Sequence, residues 1–229
     1  MDKQSREDTT STETSKPTRR RYRDGDDEHG PWAEEIFTAD ESHKCPTYVH
    51  RTPPCQGSCP SGEDVRGWLS IARGIEKPGD PETPWQEYAF RRMTDANPFP
   101  SIMGRVCPAP CEDGCNRNAV EEFVGINSIE HYVGDYAIDE ALAFESTAVD
   151  TGKRVAIIGG GPAGLATAYH LRRRGHGATI FDDHEDLGGL MRYGIPGYRT
   201  PRDVLSKEIQ RITDMGVELR LGTRIGREV

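Results

Sequence analysis

The spacing of apolar and polar residues in the last third of the chain predicts alternating strands and helices. After Thr151, apolar runs at 155–158 and 178–181 predict buried strands, and helical spacing over 163–174 predicts a helix between them. A second helix is predicted over 201–215, followed by a strand of alternating residues. The apolar positions that carry these last two predictions are Val204, Leu205, Ile209 and Ile212, and then Val217, Leu219 and Leu221. This order predicts an α/β unit with a sheet.

Three helices are predicted between residues 32 and 150, in a stretch that prolines interrupt. A capping box of Ser61 and Asp64 begins the first helix, which Gly74 ends. Thr83 is the expected N-cap of the second helix. The third has one apolar face at spacings of three and four. The apolar positions are Val65, Trp68, Leu69 and Ala72; Trp85, Ala89 and Met93; and Ile126, Ile129, Val133 and Ala137.

The first 31 residues are predicted to be a disordered tail. Met1 and Tyr22 are the only residues of the hydrophobic set over 1–30. Such a segment buries too little apolar surface to offset the entropy of ordering it. The pattern therefore predicts a tail over 1–31, a helical domain over 32–150 and an α/β domain over 151–229.

The net charge and the lengths of the apolar runs argue against two classes of protein, those that bind nucleic acid and those that span a membrane. The 229 residues are 34% hydrophobic and carry a formal net charge of −9, which argues against nucleic acid as a partner because an acidic field repels phosphates. The sequence contains neither the roughly 18 consecutive apolar residues of a membrane span nor the apolar core of a secretory signal. We therefore expect a soluble cytoplasmic protein without a membrane span.

A glycine-rich turn joins the first predicted strand of the α/β unit to its helix. Gly159, Gly161 and Gly164 form G-x-G-x-x-G, in which the glycines permit a tight turn, the approach of a pyrophosphate and close helix packing. Asp182 follows Gly164 by 18 residues, at the end of the next strand, where a carboxylate accepts hydrogen bonds from a ribose and disfavours a 2′-phosphate. These residues predict a dinucleotide site rather than an empty turn, but they do not choose between FAD and a nicotinamide cofactor.

Three segments of this region resemble a known family of flavoproteins. VAIIGGGPAGLATAYHL, FDD and LGGLMRYGIPGYRTPRDVL are similar to the FAD domain of the small (beta) subunit of bacterial glutamate synthase and its relatives. Those relatives include the N-terminal half of dihydropyrimidine dehydrogenase and the iron–sulfur flavoproteins linked to dissimilatory sulfite reductase. The resemblance implies that FAD binds at Gly159, Gly161, Pro162, Ala163, Gly164, Asp182, Gly188, Gly189, Leu190, Arg192, Gly194, Ile195 and Pro196.

The six cysteines all precede the glycine-rich turn. Their spacing is Cys45-x9-Cys55-x3-Cys59 and, after 47 further residues, Cys107-x3-Cys111-x3-Cys115. In a cytoplasmic chain such cysteines favour metal ligation over disulfides, and the missing C-x2-C knuckles favour iron–sulfur clusters over zinc or unligated thiols. Pro108 and Pro110 are expected to prevent a helix through the second triplet, which would leave its sulfurs on an irregular loop.

The cysteine segments carry the same resemblance. PCQGSCP and NPFPSIMGRVCPAPCEDGC are similar to the family's N-terminal domain, which holds two 4Fe–4S clusters. The resemblance implies one cluster on Cys59, Cys107, Cys111 and, within INSIEHYVGD, Glu130. The other would use Cys55 and Cys115 with two upstream ligands. Here the chain departs from the family, because Thr47 and His50 stand where it has cysteines, and our hypothesis is that Cys45 and His50 replace them. The alternative is that His50 is an ordinary surface histidine and that this cluster is incomplete or contains three irons.

The resemblance implies an NAD(P)H-dependent oxidoreductase. NAD(P)H would reduce FAD, and electrons would pass through the clusters to a large partner subunit of the glutamate synthase or sulfite reductase type. An alternative is a non-catalytic module for electron transfer or assembly, because no second glycine loop follows Gly164, whereas the family has one in its NAD(P)H domain. The expected fold is α+β: a mostly helical iron–sulfur domain, then a partial Rossmann-like FAD domain. The family's FAD fold continues beyond Leu221, so we expect a truncated chain that is inactive alone with NAD(P)H.

Overall fold

A computed structural model describes residues 52–120, 122–144 and 149–226. The predicted tail, Cys45 and His50 lie outside these ranges. The first part of the described chain is helical. Its elements are α1 (Pro54–Ser58), α2 (Val65–Ala72), α3 (Trp85–Met93), α4 (Pro100–Val106), α5 (Pro110–Asp113), a 3-10 helix (Asn116–Ala119) and α6 (Ile126–Asp139).

The second part is a small α/β unit. Its elements are β1 (Arg154–Ile158), α7 (Pro162–Arg173), β2 (Gly177–Phe181), α8 (Leu190–Tyr193), α9 (Arg202–Thr213) and β3 (Glu218–Arg220). The three strands are parallel in the order β1-β2-β3, with Val155 opposite Ala178 and Ile180 opposite Leu219. The predicted fold class, helical first and then a Rossmann-like parallel sheet, is confirmed. Within the described residues, we find no helix with both the length and the apolar character needed to cross a membrane.

Two helix starts differ from their predicted positions. The first long helix is capped by Asp64, whose Oδ1 accepts from the Gly67 amide at 3.1 Å, and not by Ser61. Ser61 lies in a turn in which the amide of Gly62 donates to the carbonyl of Cys59, so it is held outside the helix. Helix α3 begins one residue later than predicted, with Pro84 as its N-cap. Gly74 follows α2 with a positive φ of 71° and ends it as predicted.

The helices around α2, α3 and α6 share one apolar core. The predicted faces of these helices supply most of it, which confirms their helical period. Its buried members include Val65, Trp68, Ile71, Ala89, Phe90, Met93, Ile126, Val133 and Ala137.

A second core lies against the sheet and includes residues of α4, a helix that the spacing did not predict. Phe99 and Ile102 pack there with Ile157, Ile180 and Leu205, among others. Helix α4 therefore lies within the cysteine region of the sequence, but its apolar residues pack on the α/β unit. The described residues from Pro53 onward belong to one compact unit. The predicted division at residue 150 stays a prediction.

A close backbone approach joins α4 to α6. A Cβ atom at Gly104 would lie 2.5 Å from Cα of His131, and one at Gly134 would lie 2.2 Å from the amide nitrogen of Ser101. Neither position has room for a side chain. The two glycines therefore fix how close α4, which ends beside Cys107, lies to α6, which carries Glu130.

Two buried charged residues connect α9 to the cysteine region. The Glu208 carboxylate accepts hydrogen bonds from the amides of Ser101 and Ile102 at 2.8 and 3.1 Å. Burial raises the pKa of Glu208 to about 7, although these two hydrogen bonds and Arg211 oppose the shift. One turn further on, Arg211 donates to the carbonyl of Ala137 at 2.9 Å. Glu208 thus satisfies the first amides of α4, which have no partner within the helix.

Candidate cofactor sites

The predicted glycine loop connects β1 to α7. Gly159 has a φ of 99°, in the region that favours glycine, and its amide donates to the carbonyl of Phe181 at 2.8 Å. A Cβ atom at Gly164 would lie 1.9 Å from the carbonyl oxygen of Gly159, so only glycine fits where α7 packs on the loop. Pro162 occupies the first position of α7, followed by Ala163. The free amides at this helix start can bind a phosphate.

The second glycine segment packs directly on the first. The Gly188 amide donates to the carbonyl of Gly160 at 2.8 Å. A Cβ atom at Gly189 would lie 2.7 Å from Cα of Gly161, and both Gly188 and Gly189 have positive φ. The structure therefore brings together two loops that lie nearly thirty residues apart in the sequence, as one dinucleotide site requires.

Asp182 lies beside the glycine loop at the end of β2. Its side chain is 10% exposed, Oδ2 accepts from the amide of Gly160 at 2.6 Å, and Oδ1 accepts from the amide of His184 at 2.8 Å. Burial opposes ionisation of Asp182, but these hydrogen bonds outweigh it and hold the pKa below its ordinary value. The side chain is thus a fixed carboxylate; Oδ1 also lies 2.9 Å from Nδ1 of His184, whereas Oδ2 has a lone pair left for a ribose hydroxyl.

The remaining predicted FAD residues lie in and after α8. Arg192 holds its own segment, because Nε donates to the carbonyl of Leu187 at 2.6 Å and Nη2 donates to Oγ of Ser206 at 3.1 Å. Leu190 is 70% exposed. Three further predicted residues complete this segment. Gly194 and Pro196 are exposed, and Ile195 is half-buried.

Three cysteines converge from three different helices. Cys59 follows α1, Cys107 follows α4, and Cys111 lies in α5. Burial, together with the neighbouring Cys59 and Cys107, raises the pKa of Cys111 to about 12. Burial also raises the pKa of Cys107, against a hydrogen bond from Ala109, with Glu130 and Cys59 adding to the rise. The three predicted thiol ligands therefore lie near one another, and the predicted carboxylate ligand Glu130 lies near Cys107.

The turn between Cys107 and Cys111 has an unusual backbone. Ala109 has a φ of 52°, a left-handed conformation that costs a residue with a Cβ atom about 1–2 kcal/mol. Its amide donates to Sγ of Cys107 at 3.4 Å. Strain of this kind is common at functional sites. The expectation of an irregular loop needs correction, because Pro110 begins a four-residue helix that contains Cys111; proline is compatible with a first helical position.

Cys55 and Cys115 form a second pair. Burial raises the pKa of Cys55, a backbone hydrogen bond at Gln56 lowers it, and the nearby Cys115 raises it. Helix α1, which carries Cys55, packs against α5. All five described cysteines are free of disulfides. Their other two proposed partners, Cys45 and His50, lie outside the described residues.

The donor sets fit iron–sulfur clusters. Thiolates are the usual cluster ligands, and buried thiols whose pKa values are raised need a cation to hold them deprotonated. The first group offers three sulfurs and a carboxylate, which makes four donors. The second offers two sulfurs in the described part of the chain.

Two further residues of the first group, Glu63 and Asn97, are missing from the sequence prediction, whereas Glu130 was predicted. Glu63, which is 5% exposed, and Glu130, which is 7% exposed, are neighbouring carboxyls. Burial raises the pKa of Glu130 to about 9, helped by the charge of Glu63, and burial raises that of Glu63 to about 7. Asn97 Nδ2 donates to Oε1 of Glu130 at 2.7 Å. The feature of the sequence that could have pointed to Glu63 is its position four residues after Cys59.

Comparisons with known proteins cover both regions. The family model described as dihydropyrimidine dehydrogenase domain II, 4Fe-4S cluster matches residues 26–142, just over half of the chain. A model of the NAD(P)-binding Rossmann-like domain matches residues 157–207.

Curated relatives resemble the chain across both regions. The NADP(+)-dependent formate dehydrogenase subunit beta of Moorella thermoacetica is 36% identical, over 78% of this chain and 27% of the relative. The glutamate synthase [NADPH] small chain of Escherichia coli is 37% identical, over 77% of this chain and 36% of its own length. The NADPH-Fe(3+) oxidoreductase subunit beta of Geobacter sulfurreducens is 35% identical, over 80% of this chain and 27% of the relative. The chain thus spans about a third or less of these relatives.

Proposed function

Because the chain belongs to the dihydropyrimidine dehydrogenase domain II family of 4Fe-4S proteins, among iron–sulfur, NAD(P)-binding oxidoreductases like the glutamate synthase small subunit, we propose that it carries two 4Fe–4S clusters. The observation that supports this best is that Cys59, Cys107 and Cys111 lie close enough to influence one another electrostatically, with Glu130 close to Cys107. The second cluster would use Cys55 and Cys115, with Cys45 and His50 as the proposed completing ligands.

The glycine loops are proposed to bind FAD. The amides at the start of α7 would receive the pyrophosphate, Gly161 and Gly189 would leave room for it, and Asp182 would accept from the ribose. The remaining proposed residues, from Pro162 and Ala163 to the segment from Leu190 to Pro196, would line the same site. In this arrangement the protein binds and orients the dinucleotide, and Arg192 keeps the second loop in place.

The proposed activity is electron transfer from NAD(P)H to a partner enzyme. When bound, FAD would take a hydride from NAD(P)H, and the clusters would carry the electrons onward singly. Helix α4 supports this role, because its apolar residues pack in the sheet core while its last turn leads to Cys107. One short helix thus leads from the core of the α/β unit to the first cysteine group.

A larger redox subunit is the proposed partner. The relatives named above are a small chain and two beta subunits, which are words for parts of assemblies. A large subunit of the glutamate synthase or sulfite reductase type would accept the electrons.

The visible spectrum of anaerobically purified protein tests the proposal. We expect resolved flavin bands together with broad cluster absorption near 400 nm. The Gly164→Ala variant should lose the flavin bands and keep the cluster absorption, whereas Cys111→Ser should keep the flavin bands and lose about half of the cluster absorption. A colourless protein that contains zinc would contradict the proposal. Clusters without flavin in the unaltered protein would favour the non-catalytic module.

A further inference from the structure

Glu63 is a buried carboxylic acid that the proposed ligand set does not use. It is followed by Asp64, the N-cap of α2, and its own side chain is 5% exposed. Burying a carboxyl group is costly unless it has a partner. The side chain contacts Asn97 and Glu130, both of which are buried as well. Three polar side chains from three different segments therefore meet beside the converging cysteines.

The orientation of Asn97 is fixed by the backbone. Its Oδ1 accepts from the amide of Phe99 at 3.0 Å, so its Nδ2 must face the other way. Nδ2 donates to Oε1 of Glu130 at 2.7 Å. Because the amide oxygen cannot exchange places with the nitrogen without losing the Phe99 bond, Asn97 presents only donors to the two carboxyls.

Both carboxyls lie close enough to Cys107 to influence its thiol electrostatically. Glu130 projects from α6 and Glu63 from the turn before α2, so they approach the thiol from different elements. A ligating carboxylate is usually oriented by such hydrogen-bonded neighbours, and losing them costs about 10–100-fold in metal affinity.

We propose that Glu63 and Asn97 are positioning residues that hold the Glu130 carboxylate beside Cys107, in the group that also contains Cys59 and Cys111. Glu63 acts through Glu130 and is not itself a ligand. The inference rests on the proposed cluster at this site. It explains why a second acid is buried where the ligand count requires only one.

Iron content and EPR spectra of single and double variants test this role. Glu130→Ala should lose about one iron per chain and give the signal of a three-iron cluster after oxidation. Glu63→Gln should retain its iron under argon, show altered g-values when reduced, and lose iron in air about tenfold faster than the unaltered protein. The exposed Glu82→Gln serves as the control and should behave like the unaltered protein.

Two double variants separate positioning from ligation and from folding. In a Glu130→Ala background, Glu63→Gln should have no further effect, because no carboxylate remains to be positioned. In a Glu130→Cys background, Glu63→Gln should also leave the g-values and the iron loss unchanged, since a thiolate then supplies the ligand. If Glu63→Gln instead causes a folding defect, that defect should still be seen in the Glu130→Cys background.

Two results would overturn the inference. One is a Glu63→Gln protein that matches the unaltered protein in g-values and iron loss. The other is a Glu63→Ala protein that loses an iron while Glu130→Ala keeps all of its iron, which would make Glu63 the ligand. Failure of the proposed function itself is different, because the unaltered protein would then contain no cluster.

Discussion

The buried carboxyl of Glu208 should make the stability of this protein fall with rising pH. The side chain is fully buried and its pKa is raised by burial from 4.5 to about 7. Between these values the folded chain binds more protons than the unfolded chain, so the free energy of unfolding decreases as the pH rises through this window. A difference of about 2.5 pH units corresponds to about 3 kcal/mol.

The Glu208→Gln variant isolates this contribution. Glutamine is neutral like protonated glutamate, but its Nε2 cannot accept from the amide of Ser101 or Ile102, so the variant should be less stable than the wild type at pH 5 by about 1–3 kcal/mol. At pH 8 the wild-type carboxyl is ionised in a fully buried position, so the difference in stability should shift in favour of the variant by up to about 3 kcal/mol relative to pH 5. Urea unfolding followed by tryptophan fluorescence at several pH values between 5 and 8 measures the difference.

The control lies on the same helix. Asp203 is exposed in the first turn of α9, and Asp203→Asn should therefore give a pH profile parallel to that of the wild type. If the wild-type and Glu208→Gln profiles are also parallel, the reasoning about burial is refuted. If the free energy of unfolding of the wild type increases relative to that of the variant as the pH rises, the hydrogen bonds from the amides of Ser101 and Ile102 outweigh desolvation of the carboxylate.

Two further predictions concern the loop and the buried cation. Gly164→Ala should weaken FAD binding at least tenfold in a fluorescence titration, because its Cβ atom would lie 1.9 Å from the Gly159 carbonyl oxygen; the control Gly197→Ala, with no atom within 4 Å, should bind normally. Arg211→Met should cost about 1–3 kcal/mol more stability at pH 8 than at pH 5 in urea unfolding, since it removes one of the two cations, Arg211 and Arg105, that favour the ionised Glu208 carboxyl, which is protonated at pH 5. An equal loss at both pH values would assign the effect to packing over Phe90.

Periodic apolar spacing predicted the regular elements well. The face of α6 through Ile126, Val133 and Ala137 is buried as expected, and β1 and β2 pair in parallel. Such elements are recognisable because their period alone determines which residues are buried. Helix starts were less predictable. Ser61 has the residue type of a cap, but the turn at Gly62 excludes it.

The parts that the spacing did not predict depend on contacts between distant segments. Helix α4 is short, and its apolar residues serve a core built mainly from the α/β unit. Glu63 and Glu208 are charged residues in buried positions, and only their distant partners Asn97 and Ser101 make that burial tolerable. The ligand prediction for Glu130 came from a family resemblance and not from periodicity.

The iron and sulfide content of cysteine variants tests the central claim of two separate clusters most directly. The anaerobically purified chain should contain about eight irons and eight sulfides. Cys111→Ser and Cys115→Ser should each lower the iron content by about four, and the EPR signals that they remove should differ, because the structure places these cysteines in different groups. Loss of the same signal from both variants, or a protein that holds about four irons before any substitution, would contradict the account.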